Sequence, residues 1–294
     1  MRRAFLSRIA SMIPNEKDTV FMTVDIGMWA IRDVLKDYPD RCMNVGIFED
    51  AMMSVAAGMS SRGLVPTVFG IQPYLIERAY EQIKMDMAYM KYGVNVVGTG
   101  AAIDYSKYGY SHYCAEDLAI IKQLPGVEFI APGTVNEFKA LFEAGYRNGH
   151  PTFYRISDHP NCNYDMEVIF GKANVIQKGS KATVIAVSVM LDMVMEACKN
   201  EDVTVLYYTT LAPFDGETLR DNLSGNKILV CEPHFAGSLD SDILKVFEGQ
   251  QISVEHVGLP REIFRNYGTY DEKLEFYGLT TDEIKVKLSK MIRK

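Results

Sequence analysis

The sequence contains few cysteines and no long hydrophobic run, and each of these absences excludes a class of protein. The five cysteines form neither a Cys-x-x-Cys pair nor a Cys/His cluster, so we expect no zinc site and no disulfide framework. No apolar run approaches the roughly 20 residues that a membrane span requires. The N-terminal segment lacks the apolar core and cleavage site of a signal peptide, so a reducing cytoplasm is the expected compartment.

Clusters of positive charge are also absent. The formal net charge is −7, and Lys and Arg are scattered singly before the C-terminal segment, residues 285–294. A nucleic-acid surface requires clustered Lys and Arg, so we expect no nucleic-acid partner. What the chain does contain, 294 residues with 48% hydrophobic and 23% charged side chains, is typical of a globular protein with two domains.

Short apolar stretches alternate with helical patterns along the whole chain. This alternation predicts βαβ units, and therefore parallel sheets that helices cover on both faces. The turn-rich segment 158–164 interrupts the pattern, so we place a domain boundary inside it, with the first domain at residues 1–163 and the second at residues 164–294. The predicted fold class is α/β, with two domains that each contain a mostly parallel sheet flanked by helices.

Several polar or small residues follow the predicted strands of the first domain. Asp25, Glu49, Gly70 and Gly98 each stand at the carboxyl end of a strand, the edge at which ligands of parallel sheets bind. Glu49 follows the apolar stretch 43–48 and precedes a helix of small residues. Burying a carboxylate in such surroundings costs free energy unless the group is ion-paired, protonated or has a functional role. The alternative is an ordinary acidic helix start stabilised by the helix dipole.

Four short motifs follow one another in the first domain. They are Val45-Gly46-Ile47-Phe48-Glu49, Arg78-Ala79-Tyr80-Glu81-Gln82, Ser111-His112 and Leu124-Pro125-Gly126-Val127-Glu128-Phe129-Ile130-Ala131-Pro132. In this order they resemble motifs of thiamine-diphosphate-dependent transketolases and, more closely, of 1-deoxyxylulose-5-phosphate synthases. The second domain is similar to the C-terminal domain of these enzymes, including Asp215 and the segment Glu232-Pro233-His234. The resemblance implies a C-terminal-type subunit with a pyrimidine-binding domain and a transketolase C-terminal domain.

The resemblance implies that Glu49 and His112 are catalytic. In that family the counterpart of Glu49 donates a hydrogen bond to a ring nitrogen of the cofactor's aminopyrimidine, which prepares the cofactor to act as a nucleophile. The counterpart of His112 transfers protons or contacts substrate near the reactive carbon. A lone His after a loop is otherwise most often structural. The side chains expected to bind thiamine diphosphate are Glu49, Asp25, Ile26, Tyr74, Leu75 and Arg78.

The chain departs from the family where the pyrimidine ring stacks on aromatic side chains. Leu75, at the start of a predicted helix over residues 75–92, and Gln72 stand at these places. Tyr74 is the nearest aromatic residue, and we expect it to substitute for them. Arg78 would line the pyrimidine pocket, although an Arg on a helix is commonly an ion-pair partner. Asp25 could equally cap a helix, as strand-end Asp residues often do.

The expected substrate contacts also differ from the family pattern. Tyr108 stands where transketolases have the Asp that contacts sugar hydroxyls, and Asp158 stands where they have an Arg for the substrate phosphate. The loop 104–110 offers aromatic faces and hydroxyls, which suit a larger or uncharged substrate. A phosphorylated substrate would need a cation from Arg155 or from a partner chain. The side chains expected to contact substrate are Asp104, Tyr108, His112 and Arg155.

One half of the cofactor site is missing from the chain. The family binds Mg²⁺ and the diphosphate through a Gly-Asp-Gly segment and a downstream Asn, and no Gly-Asp-Gly occurs in this sequence. We therefore expect no metal ligands here and a separate N-terminal transketolase-like subunit that binds Mg²⁺. Thiamine diphosphate would lie between the two chains, in an α2β2 assembly with a homodimeric core.

The expected function is that of a β-type subunit of a split transketolase-like enzyme in carbohydrate metabolism. The enzyme would transfer a two-carbon unit from a ketose or 2-oxo acid donor to an aldehyde acceptor. Two alternatives remain open at this point. The chain could be the β subunit of a 2-oxo acid dehydrogenase or decarboxylase, which share the two-domain chain, or a non-catalytic partner that only stabilises the other chain.

Overall fold

The computed structural model describes residues 1–293 and arranges their strands in two sheets. The strands, numbered along the chain, are β1 Thr19–Thr23, β2 Cys42–Asn44, β3 Val65–Ile71, β4 Asn95–Thr99, β5 Glu128–Ile130, β6 Thr152–Ile156, β7 Asn174–Gln177, β8 Thr183–Val187, β9 Thr204–Tyr208, β10 Thr210–Ala212, β11 Lys227–Phe235 and β12 Ser253–Leu259. The first sheet has the order β10-β5-β6-β4-β3-β1-β2, and the second has the order β12-β11-β8-β9-β7.

Helices connect most of the strands. The α-helices are α1 Arg2–Asn15, α2 Arg32–Asp37, α3 Glu49–Ser60, α4 Gln72–Ile76, α5 Tyr80–Gln82, α6 Asp117–Ile121, α7 Val135–Gly145, α8 Leu191–Ala197, α9 Gly216–Asp221, α10 Asp240–Val246, α11 Tyr270–Tyr277 and α12 Thr281–Arg293. A π-helical segment, Ile83–Tyr89, continues α5. None of the helices within residues 1–293 combines the length and apolarity needed to cross a bilayer.

Parallel pairing dominates both sheets. Only the edge strands β10 and β7 run antiparallel to their neighbours in the described chain, β5 and β9 respectively. The strands β1, β4, β6, β8 and β9 have every residue buried, as expected for strands that helices cover on both faces. The predicted fold class, two α/β domains with mostly parallel sheets flanked by helices, is therefore confirmed.

The two domains share a sheet edge. Strand β10, which follows β9 of the second sheet, pairs with β5 and becomes the outermost strand of the first sheet. Nearby, the backbone N–H of Phe235 donates to the carbonyl of Ala115, at 2.9 Å, and so ties the end of β11 to the segment after His112. The second domain therefore supports the loop that carries the predicted histidine. The domain boundary between residues 163 and 164 stays a prediction.

The structure corrects the secondary structure predicted around Glu49. The stretch 43–48 is not a strand along its whole length, because β2 ends at Asn44 and Gly46 adopts φ +74°, a left-handed conformation that interrupts a strand. Glu49 is consequently the first residue of α3. The helix predicted over residues 75–92 begins earlier, since Pro73 suits a first turn, and it is broken into α4, α5 and the π-helical segment.

Candidate active site

Glu49 is a buried carboxyl group at the carboxyl edge of the first sheet. Its side chain is 2% exposed, and Oε2 accepts a hydrogen bond from Nη1 of Arg78. Within residues 1–293 the other oxygen, Oε1, has no hydrogen-bond partner. The two preceding side chains, Ile47 and Phe48, are 64% and 63% exposed. The site therefore contains a carboxyl group with one hydrogen-bonded oxygen and one free oxygen. Exposed apolar side chains form its rim.

A continuous series of contacts leads from Glu49 to His112. The guanidinium of Arg78 lies over the ring of Tyr74, 4.8 Å from its centroid. The hydroxyl of Tyr74 is 3.4 Å from Nε2 of His112, and the two rings meet edge to face at 5.5 Å. The ring of Tyr108 lies 5.1 Å from that of His112. Five residues predicted from the sequence, far apart along the chain, thus form one cluster.

His112 ends a short 3₁₀ turn, Tyr110–His112, in the loop after β4. Partial burial lowers the pKa of His112 below its ordinary value of 6.5, because the imidazolium loses hydration there. The hydroxyl of Ser111 lies 3.0 Å from Nδ1. At neutral pH the imidazole is therefore mostly neutral, and one ring nitrogen can accept a proton while the other donates one.

A cleft of about 540 Å³ opens beside His112. Its walls come from the ends of the first-domain strands, including Ile26, from the loop 104–112, from Asp158 and His159, and from the beginning of α11. The second domain therefore forms part of a cavity whose other walls belong to the first. This cleft is the natural place for a substrate that reacts near His112.

Asp104 is the best-anchored acidic group of the cleft. Its Oδ1 accepts from the hydroxyl of Ser157 at 3.0 Å, and its Oδ2 accepts from the backbone N–H groups of Asp158, at 2.8 Å, and Ala101, at 3.2 Å. Burial raises the pKa of Asp104 to about 7, although these hydrogen bonds act in the opposite direction. The carboxyl joins two segments of the cleft wall, and the substrate contact expected of it stays a prediction.

The ring of Tyr105 packs directly on the backbone of Gly100. Gly100 has φ +85°, and a Cβ added there would lie 2.5 Å from the Tyr105 ring. The hydroxyl of Tyr105 reaches Thr99, 3.2 Å from Oγ1. A glycine at position 100 is therefore needed both for the left-handed backbone and for the position of this aromatic wall.

We expect Gly100→Ala to destabilise the fold more than Gly149→Ala, its matched control. Gly149 has a similar φ of +81° but no atom within 4 Å of an added Cβ. The control should lose about 1 kcal/mol from backbone strain alone, and Gly100→Ala a further 1–3 kcal/mol, roughly, from overpacking against Tyr105. Urea unfolding of both variants measures the difference, and equal losses would show that Tyr105 adjusts without cost.

Two of the predicted cofactor residues lie apart from this cluster. Asp25 is exposed with φ +52°, and its Oδ1 accepts from the side-chain amide of Asn44 at 2.6 Å. Leu75 is completely buried and packs beneath Gly70. Neighbouring residues of a helix point in different directions, so Tyr74 faces His112 while Leu75 faces the core. Stacking of a ligand on Leu75 is therefore not supported by its position.

Arg155 does not reach the cleft, and the substrate contact predicted for it requires correction. The side chain is 1% exposed, and its Nη1 donates to both carboxylate oxygens of Asp117, at 3.1 and 3.3 Å. Asp117 also accepts from the amide of Gln72 at 3.1 Å, and the guanidinium lies over the ring of Phe129. The positive charge is neutralised inside the protein. Arg155 therefore fastens α4 and α6 to the sheet and does not contact a ligand.

Sequence reasoning missed several residues of the cleft. Arg2 and Lys107 supply positive charge, and His159 stacks on Tyr270 with ring centroids 3.7 Å apart. Arg2 and Tyr270 come from opposite ends of the chain, so no local pattern brings them together. The start of α11 was detectable, however, because Thr269 and Glu272 form a capping box with the sequence spacing typical of one.

Comparison with known proteins agrees with this architecture. Residues 1–159 match the transketolase pyrimidine binding domain, and residues 171–284 match the transketolase C-terminal domain. A subunit of the apulose-4-phosphate transketolase of Actinobacillus succinogenes is 25% identical over 95% of this chain and 94% of its own length. The 6-deoxy-6-sulfo-D-fructose transketolase subunit SqwH of Clostridium sp. (strain MSTE9) is 26% identical over 92% and 88%, respectively.

A solved structure described as a split gene transketolase, an inactive β4 tetramer, has the same fold. It superposes with a TM-score of 0.87 at 26% identity, covering 99% of this chain and 98% of that one. The sequence match to the pyrimidine-binding domain extends over more than half of the 294 residues. The chain therefore belongs to the transketolase family and consists of its pyrimidine-binding and C-terminal domains.

Proposed function

We propose that this chain is the β-type subunit of a two-component, thiamine-diphosphate-dependent transketolase. The complex would transfer a two-carbon unit from a ketose or 2-oxo acid donor to an aldehyde acceptor. The observation that carries the proposal is the contact series from Glu49 through Arg78 and Tyr74 to His112, beside a cleft large enough for a sugar. The relatives named as transketolase subunits support a function that is shared with a second chain.

The residues around Glu49 fit the pyrimidine half of thiamine diphosphate. A pyrimidine nitrogen needs one carboxyl oxygen that is free of protein partners, and Oε1 of Glu49 meets this requirement within the described residues. The other oxygen is held by Arg78, which fixes the plane of the carboxyl group. The exposed side chains of Ile47 and Phe48 and the ring of Tyr74 supply the apolar surface that a flat heterocycle requires.

Each residue of the cluster has a separate task in the proposed reaction. When bound, thiamine diphosphate supplies the carbon nucleophile and electron sink for making and breaking a bond next to a carbonyl. Glu49 would hold a proton at Oε1 for the ring nitrogen, and Arg78 would orient that carboxyl through Oε2. His112 would accept or donate a proton at substrate oxygen, with Tyr74 positioning its ring. Burial excludes water from Glu49, which strengthens its hydrogen bond.

An exposed apolar surface beside Glu49 supports the need for a second chain. The side chains of Val55 on α3, of Met85 and Tyr89 on the facing π-helical segment and of Met90 just after it are between 44% and 74% exposed. Surfaces of this kind commonly mark protein–protein interfaces. The partner would contribute the Gly-Asp-Gly segment, Mg²⁺ and the diphosphate half of the site. The split transketolase described as an inactive β4 tetramer is consistent with β chains that assemble without their partner.

We expect tight binding of thiamine diphosphate only when both chains are present. This chain should be co-expressed with a chain that carries the Gly-Asp-Gly segment and the downstream Asn, and the cofactor titrated with Mg²⁺ by calorimetry. The pair should bind at least about tenfold more tightly than this chain alone, because the diphosphate contacts are charge-assisted and lie on the partner. Equal affinity of the isolated chain would contradict a shared site. Acyl transfer to a lipoyl protein would instead support a 2-oxo acid dehydrogenase.

A further inference from the structure

The cleft beside His112 contains more acidic side chains than basic ones. Asp104, Asp158 and Asp271 line it, against the two cations Arg2 and Lys107. His159 adds little positive charge, because burial lowers its pKa below the ordinary value. A site for a phosphate or sulfonate normally brings several cations or N–H donors together around the anion. This cleft has no such excess of positive charge.

Asp104 is the acidic group of the cleft that hydrogen bonds hold in place, and its raised pKa of about 7 leaves it only partly ionised at neutral pH, whereas the side chains of Asp158 and Asp271 are exposed. One of the three hydrogen bonds to Asp104 comes from the backbone of Asp158, which fixes that segment as well. Arg2 and Lys107 are long, exposed side chains that can turn towards water at little cost. Arg155, the buried cation near the cleft, forms an ion pair with Asp117. An anionic group in the cleft would therefore meet Asp158 and Asp271 without a fixed cation to offset them.

Three tyrosine side chains also line the cleft. Tyr105 is held over Gly100, Tyr108 is 64% exposed next to His112, and Tyr270 is backed by the stacked ring of His159. A tyrosine offers an apolar face together with a hydroxyl, which suits the C–H faces and hydroxyls of a sugar. Carboxylates accept hydrogen bonds from sugar hydroxyls, often two at a time.

We propose that the cleft binds the hydroxyl-bearing end of a sugar that carries neither a phosphate nor a sulfonate at that end. The inference rests on the proposed function, since it names the class of substrate that the same site accepts. His112, which contacts Tyr74, lies at the end of the cleft where the sugar would react. The carboxylates of Asp158 and Asp271 would accept hydrogen bonds from the hydroxyls at the other end of the sugar. The substrate would differ in charge from the phosphorylated and sulfonated sugars for which the two relatives are named.

Donor selectivity of the assembled two-chain enzyme tests the proposal. At low ionic strength kcat/KM for D-fructose should exceed that for D-fructose 6-phosphate by about tenfold or more, since each close like-charge contact costs roughly that factor. The double variant Asp158→Asn, Asp271→Asn should reduce this ratio, mainly by lowering KM for the phosphorylated donor. Asp40→Asn, an exposed turn carboxylate outside the cleft, should leave the ratio unchanged. A tenfold preference for the phosphorylated donor would overturn the proposal.

Binding to this chain alone separates the proposal from the function on which it rests. All of the cleft residues described above belong to this chain, so saturation-transfer NMR with D-fructose and D-fructose 6-phosphate needs no partner. A stronger saturation-transfer signal for D-fructose than for D-fructose 6-phosphate, with this difference abolished or reversed in the double variant, would support the proposal. It would do so even if the complex transferred no two-carbon unit. Stronger binding of the phosphate ester, or no binding of either sugar, would overturn it whatever the complex does.

Discussion

Replacing Glu49 with Gln should lower kcat of the two-chain enzyme by roughly 10²- to 10⁴-fold, the range that a positioned proton-transferring group contributes. The amide keeps the size of the side chain and can still accept from Arg78 through its oxygen, so the contact in the structure is retained. It cannot, however, hold a transferable proton for the cofactor ring. The loss should therefore appear in kcat, with a much smaller change in the affinity for thiamine diphosphate.

Asp50→Asn is the matched control for this variant. Asp50 is the next residue of α3, half-buried, and its Oδ1 accepts from the backbone N–H of Ala51 instead of contacting Arg78. The Asp50→Asn variant should retain most of the activity. This result would show that neutralising an acid at the start of α3 does not by itself abolish turnover. Near-normal turnover by Glu49→Gln would contradict the catalytic role. Unfolding of both variants in urea should show small losses of about 1 kcal/mol, as expected for helix-start acids.

The fold was predictable because its signals are local. Apolar stretches separated by helical patterns indicate parallel strands, and the carboxyl ends of those strands meet at one edge whatever the details of packing. Glu49 was thereby placed at the right edge, although the left-handed Gly46 ends the strand earlier than the apolar residues suggest. Strand β10 was not predicted, because it has three residues and pairs with a strand of the other domain.

Side-chain environment was much harder to predict than side-chain position. Tyr74 and Leu75 are adjacent in sequence, but only the orientation of α4 decides which of them is exposed to the site and which is core. The partner of Arg155 lies 38 residues away, so no local pattern indicates that the charge is neutralised. The cleft depends on α11 of the second domain, whose approach to the first is determined by tertiary packing.

We expect Arg155→Met to reduce the free energy of unfolding by about 3–5 kcal/mol, because it leaves the carboxylate of Asp117 buried without its counter-charge. Both side chains are at most 1% exposed, and Met fills much of the same volume. Equilibrium unfolding in urea gives the free energy. If Arg155 instead contacted substrate, the variant would keep its stability and raise KM, which would contradict the buried ion pair.

The second variant in this series is the double replacement Arg155→Met, Asp117→Asn. Removing both charges eliminates the unpaired carboxylate, and the Asn oxygen can still accept from the amide of Gln72. The double variant should therefore be more stable than Arg155→Met alone, with a coupling free energy of roughly 0.5–3 kcal/mol between the two positions. Because Gln72 begins the helix that carries Tyr74, Arg155→Met should also lower kcat, and the double variant should recover part of that loss. Additive losses would mean that the two side chains stabilise α4 and α6 independently.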